Sequence, residues 1–148
     1  MAKAFKLEDF LPYRLNILAQ ESSHRLSAIY SAHFDLDIPQ WRILANLASR
    51  GELTAQGIAA ITFSHKSTVS RAVAALEGRR LIERVEDRGD RRALVLRLTA
   101  KGRRLFGELL PLVLSFEKEL LSKLSAAERK GLMKGLAALE RELLPREP

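Results

Sequence analysis

Cysteine is absent from the 148-residue sequence, which excludes disulfides, thiolate metal sites and thiol-based redox sensing within the chain. Aromatic residues are scarce, at 6%, while leucine and alanine abound, a balance that favours helices. No stretch approaches the ~18 apolar residues of a membrane span, and the opening MAKAFKLEDF lacks the apolar core of a signal peptide. The expectation is a cytoplasmic protein with no membrane partner. His24 and His33 stand nine positions apart with no acid at a ligand-like spacing, so no metal site is expected. A convergent nucleophile, base and pocket are also missing. The serines around His24 read as helix surface, and neither an enzyme nor a cofactor is expected.

What is present is positive charge, and its placement matters more than its size. Between Ser64 and Arg104 stand twelve Lys and Arg against five Asp and Glu, an excess equal to the whole-chain formal charge of +7; elsewhere thirteen of each sign cancel. Localised basic charge of this kind is the footprint of a polyanion binder, and nucleic acid is the commonest polyanion. A solvated charged face is the plain alternative, so the surrounding pattern has to decide.

The length suits one domain, or one domain with an oligomerisation arm. Pro12 fits the first turn of a helix, and Leu15, Leu18, Ala19, Leu26, Ile29 and Ala32 recur on one helical face, which predicts a long first helix to about Phe34. In DIPQW, Asp37 and Gln40 have capping-box spacing, opening a second helix that stops near Gly51. Thr54 and Ser64 are expected caps for a third and a fourth helix, joined by the tight ITFS turn as a helix-turn-helix. In the fourth, Val69, Ala72, Val73 and Leu76 share one side, leaving Ser67, Arg71 and Ala74 opposite. LIERVED and ALVLRLT, separated by RGDRR, read as two antiparallel strands and a turn, the wing of a winged helix.

Thr99 is the expected cap of a fifth helix carrying Pro111, and the SAAE at Ser125–Glu128 opens a sixth. The first, fifth and sixth helices carry more apolar surface than a small winged domain needs. Burial in a partner subunit is the favoured reading, an intramolecular three-helix core the alternative.

The order of these elements, and specifically KSTVSRAVAALE followed by LIERVEDRGDRRALVLRLTAKG, resembles the MarR family of bacterial winged-helix transcription regulators. LEDFLPYRLNILA, IPQWRILANLA and LTAQGIAA are similar to family segments too, and the most specific piece is Asp90 and Arg92 of the wing with Leu98, Thr99 and Gly102 downstream. The resemblance implies a mainly α fold with a small β-wing, a single domain over 1–148. In it, about 37–99 form the winged helix-turn-helix DNA-binding region, and about 9–34 and 100–144 form dimerisation helices. It also implies a homodimer on a near-palindromic double-stranded DNA operator, the fourth helix of each subunit in a major groove and each wing at the backbone and adjacent minor groove. The expected function is a sequence-specific DNA-binding transcriptional regulator, a repressor released by a small-molecule effector, an aromatic acid or lipophilic anion. The alternative is a winged-helix protein-interaction module without DNA binding, against which the concentrated basic charge argues.

Residue by residue, Ser67 and Thr68 lie near the positive end of the fourth helix's dipole, where hydroxyls and N–H groups can hold phosphate or base edges. Arg71 can reach guanine bidentately, and Ala74 and Ala75 permit close approach to a groove. His65, Lys66 and Ser70 complete the DNA contacts expected of this helix. The resemblance puts Arg92 at the minor groove, with Arg88 and Arg91 on phosphate. Asp90, an acid among arginines, is expected to brace one of them by a salt bridge. Arg14, Tyr30, His33 and Trp41 combine an anion partner with aromatic surface and are the candidate effector-binding residues, core or interface packing of Tyr30 and Trp41 being the favoured reading. One departure stands out: relatives usually have glycine at the position of Arg80, whereas the glycine here is Gly78. Either Arg80 is left-handed or the helix ends differently.

Overall fold

In the computed structural model, which describes residues 4–145, a 3-10 turn at Leu7–Asp9 leads into α1, Leu11–Phe34. Then follow α2 (Ile38–Arg50), α3 (Ala55–Ile61), α4 (Lys66–Gly78), the strands β1 (Ile82–Glu86) and β2 (Leu94–Leu98), α5 (Ala100–Ser122) and α6 (Ala126–Leu143). This is the mainly helical winged order expected from the sequence. The chain falls into two compact units, residues 1–112 and 113–148. Among the described residues no helix is long and apolar enough to cross a membrane.

Most helix starts have a local cause. Pro12 occupies the first turn of α1. At α2 the Gln40 N–H donates to the Asp37 carboxylate at 2.8 Å and the Asp37 N–H donates back to Gln40 Oε1 at 3.2 Å, a complete capping box. Thr54 Oγ1 accepts the Gly57 N–H at 2.9 Å to start α3, and Ser125 with Glu128 forms a second box at α6. α4 departs from expectation. Its cap position is His65, with no side-chain bond, because the Ser64 hydroxyl is turned into the turn: it receives the Thr62 hydroxyl at 3.0 Å and donates to the Thr62 carbonyl at 3.3 Å.

Helices α1, α3 and α4 each end at a left-handed residue that is not glycine, Asp35 (φ 51°), Phe63 (φ 51°) and Arg80 (φ 58°). After α4 the Arg80 N–H bonds Glu77 O at 2.9 Å and the Leu81 N–H bonds Leu76 O at 3.0 Å, a Schellman closure sealed by the fully buried Leu76 and Leu81. Of the two outcomes open at Arg80, the left-handed one holds, at a cost of about 1–2 kcal/mol for a residue with a β-carbon.

The wing strands pair antiparallel in register Ile82↔Leu98 to Glu86↔Leu94. Leu53 adds a bridge to the other edge of β2, its N–H on Leu96 O at 3.1 Å and the Leu96 N–H on Leu53 O at 2.7 Å. Val95, Leu96 and Leu98 are buried while Leu94 is exposed, so β2 does not alternate strictly. The chain entering α5 is fastened to the chain leaving α4. The Thr99 hydroxyl donates to Arg80 O at 2.6 Å and accepts the Gly102 N–H at 3.0 Å, and the Thr99 N–H bonds Leu81 O at 3.0 Å. These bonds close the base of the wing.

Burial is uneven. α1 buries Tyr30 alone of its twenty-four residues. In the second unit, Arg129 Nη2 reaches Leu121 O at 3.1 Å across the turn into α6, yet α6 buries none of its eighteen residues.

Candidate nucleic-acid interface

α4 turns Val69, Ala72, Val73 and Leu76 into the core of the first unit. That burial fixes its rotation, and the opposite face follows: Lys66, Ser67, Ser70, Arg71, Ala74 and Ala75 are exposed and Thr68 is half-buried. His65, at the cap, is exposed as well. The face is small, polar and basic, with free backbone N–H groups at its start.

The twelve cations of the basic window divide into two sets. Five serve the fold. The Arg79 guanidinium forks onto Asp35 O at 2.7 Å and Phe34 O at 2.8 Å, Lys101 Nζ holds Arg79 O at 2.9 Å, and Arg103 holds Leu98 O at 3.0 Å. Arg84 pairs with Glu77 at 2.9 Å, and Arg97 with Glu83 at 2.8 Å and Glu52 at 3.7 Å. The hydrogen bond to Glu83 holds the Arg97 guanidinium above its ordinary pKa. The other seven, Lys66, Arg71, Arg80, Arg88, Arg91, Arg92 and Arg104, are exposed and have no side-chain hydrogen bond or ion pair among the described residues. Five of these seven lie on α4 or at the wing tip. Uncommitted cations, not cations in general, mark the surface that can meet phosphate.

The wing tip shows why its arginines are free. The Asp87 carboxylate accepts the Gly89 N–H at 3.0 Å, and the Asp90 carboxylate accepts the Arg92 N–H at 3.0 Å. Asp90 was expected to brace an arginine side chain; its short carboxylate instead closes a turn on the backbone two residues on. Backbone bonds from Ala93 N–H to Asp90 O and from Asp87 N–H to Ala93 O, both 3.0 Å, complete the tip. The acids shape the turn, and the guanidinium groups of Arg88, Arg91 and Arg92 have no acidic partners among the described residues.

Comparison with known proteins matches this architecture. The MarR family is matched over residues 34–93, from the end of α1 through the wing turn. The transcriptional regulator HosA of Escherichia coli O127:H6 is 27% identical over 124 residues, covering 78% of this chain and 92% of the relative. A MarR/EmrR family transcriptional regulator of Acinetobacter sp. ADP1 superposes with a TM-score of 0.81 at 27% identity, over 94% of this chain and 98% of that one. A MarR family transcriptional regulator of Silicibacter pomeroyi DSS does so at 0.82 and 27%, over 98% and 97%. The chain is similar to the MarR family. It is a transcriptional regulator of the DNA-binding kind, and these relatives are regulators rather than enzymes.

The four candidate residues for an effector pocket are not all gathered together. Tyr30 is fully buried and stacks on Trp41, with ring centroids 5.4 Å apart, and Trp41 stacks on Phe106 at 5.9 Å. Burial pushes the Tyr30 phenol up to about 12, and its oxygen has no hydrogen-bond partner among the described residues. Arg14 precedes Tyr30 by sixteen residues on α1, about 24 Å along the helix axis at 1.5 Å per residue. His33 is exposed, with Nδ1 3.0 Å from Ile29 O.

Two features went unseen in the sequence. One is a cleft of about 490 Å³ walled by Leu47, Phe106, Arg97 and Arg103. The other is Phe63, left-handed and 83% exposed in the turn before α4. A link as short as ITFS between two helices was the available signal, since so sharp a reversal calls for a left-handed residue.

Proposed function

We propose that the protein is a sequence-specific repressor that binds near-palindromic duplex DNA as a homodimer. α4 enters the major groove, with Arg71 on a base edge and His65, Lys66, Ser67, Thr68 and Ser70 on phosphate or neighbouring bases. The wing lays Arg92 in the adjacent minor groove and Arg88 and Arg91 on the backbone. The observation that carries this reading is the sorting of the basic window: of its seven cations that are uncommitted among the described residues, five stand on α4 and the wing tip. A protein-binding wing has no use for that arrangement.

Self-association is supported by the two helices that bury almost nothing. α6 leaves Leu132, Met133 and Leu136 at 44%, 45% and 37% exposure, and α1 leaves Leu18 at 64%. Helices of such length gain most of their stability from a packed apolar face, and a second copy of the chain supplies one. Release by a small aromatic or lipophilic ligand is supported by the cleft beside Phe106, whose size and aromatic wall suit such a molecule.

The deciding measurement is affinity for duplex DNA, selected by the protein from random sequence, against salt concentration. With about six phosphates neutralised per dimer, log K falls with log salt at a slope of about −5. A flat response overturns DNA binding and leaves the protein-interaction module.

A further inference from the structure

Phe63 carries two unfavourable features at once. Its backbone sits at φ 51°, a region L side chains rarely adopt, and its ring is 83% exposed. The conformation is imposed by the helix end, where the Phe63 N–H bonds Ala60 O at 3.3 Å and the Ser64 N–H bonds Ala59 O at 3.0 Å. Glycine meets that demand without strain. A phenylalanine there would be offset by packing if the ring found apolar neighbours, but it makes no aromatic contact among the described residues and stays in water. Nothing among the described residues explains the side chain.

Its position supplies an explanation. Phe63 lies two residues ahead of the α4 cap His65 and three ahead of Lys66, at the edge of the exposed polar and basic face. The apolar surfaces left for self-association are elsewhere, on α1 and α6. A lone exposed ring three residues ahead of the uncommitted Lys66 fits a polyanion that also offers apolar groups. Duplex DNA offers two, thymine 5-methyls and deoxyribose faces, and phenylalanine is among the residues suited to the thymine methyl.

We infer that Phe63 is a DNA-contacting residue, its ring lying against thymine methyl or deoxyribose at the edge of the half-site entered by α4. The inference rests on the DNA-binding reading above. The contact fixes how far α4 advances along the groove, and it adds affinity without neutralising phosphate.

The test compares the full-length protein with Phe63→Gly, Phe63→Asn and Phe63→Leu on duplexes that the wild type selects from random sequence. Glycine and asparagine both tolerate the left-handed backbone but lack the ring, so each should bind about tenfold more weakly, the scale of one buried apolar side chain. Leucine should stay within about threefold, since it keeps apolar bulk. The slope of log K against log salt should be unchanged in all three, because no phosphate contact is lost. Phe63→Gly should also melt higher than the wild type.

Replacing each thymine by deoxyuridine distinguishes the two sources. A wild-type loss at one position per half-site, absent in Phe63→Gly, identifies the methyl. Uniform weakening of Phe63→Gly with no uracil effect identifies deoxyribose. Wild-type affinity in both Phe63→Gly and Phe63→Asn overturns the inference, as does a reduced salt slope, which would mean that α4 itself had moved. Loss in Phe63→Gly alone also overturns it, by pointing to backbone stiffness. If the wild type selects no duplex at all, DNA binding fails first, and the inference falls with it.

Discussion

The α-carbon of Gly102 lies so close to the carbonyl of Leu81 that a β-carbon built on it would overlap the oxygen. Gly102 belongs to the first turn of α5, and Leu81 is the buried residue that closes α4, so this contact presses the two sides of the wing base together. Gly102→Ala should therefore cost about 1–3 kcal/mol, as overpacking does, read as a lowered urea midpoint. Gly78→Ala is the matched control. Its β-carbon meets nothing within 4 Å, and helix propensity should raise stability by up to about 1 kcal/mol. Equal effects at the two glycines would remove the close approach as a cause.

Arg80 is the second constraint at this junction. Its left-handed conformation costs about 1–2 kcal/mol, of which glycine would return only part because its unfolded chain is freer by about 0.5–1 kcal/mol. Arg80→Gly should thus stabilise by about 0.5–1 kcal/mol. The Thr99 hydroxyl would still bond the residue's carbonyl, now 2.6 Å away, because that acceptor is backbone. Arg80→Val should do the opposite, since a β-branched residue is least at ease there. Thermal melts of the three proteins check the order glycine, arginine, valine.

These two residues show what was legible in the chain. Thr99 was readable as a cap and is one, while Gly102 stood out by resemblance and the structure supplies its reason, a close approach. Capping boxes at Asp37–Gln40 and Ser125–Glu128 were readable because both partners lie within four residues of each other. Ser64 had the right residue type for a cap but lost its hydroxyl to Thr62, a competition that residue type alone does not reveal. The basic window was readable as charge but not as function. Arg79 finds its acceptors 44 and 45 residues away, and Arg97 finds Glu83 14 away, so which cations stay uncommitted depends on the finished fold. The Leu53 bridge to β2 was hidden for the same reason.

Tyr30 gives a prediction in the alkaline range. Burial raises its phenol from an ordinary value of 10.0 to about 12, so between these values the unfolded chain releases a proton that the folded chain keeps. The contribution is fully present below about pH 10 and is lost as pH rises to about 12. Tyr30→Phe should flatten that part of the stability curve, measured as the difference from the wild type in urea unfolding. At neutral pH the variant should be as stable or more so, because the hydroxyl has no partner among the described residues. A neutral-pH loss above about 1 kcal/mol would show that the hydroxyl is hydrogen-bonded after all.

Arg71 and Arg92 are both exposed and uncommitted among the described residues, yet the groove that the proposed function gives each assigns them different signatures. On the outward face of α4, Arg71 can bond a guanine edge through two donors, which discriminates by about 1–3 kcal/mol. Arg71→Ala should therefore relax base preference at one position per half-site and change affinity little on sequences lacking that guanine. At the wing tip, Arg92 in the proposed complex would meet a groove whose A·T and T·A edges look alike, so its preference would come from the concentrated potential of a narrow A·T tract. Arg92→Ala should weaken binding broadly and blunt the A·T preference beneath the wing. Arg84→Ala serves as the control, because Arg84 is already paired with Glu77 at 2.9 Å. It should leave selected sequences and affinity unchanged. Selection from random duplexes with each variant separates these outcomes: if Arg71→Ala weakens every sequence equally, Arg71 holds phosphate and α4 reads the groove through other residues.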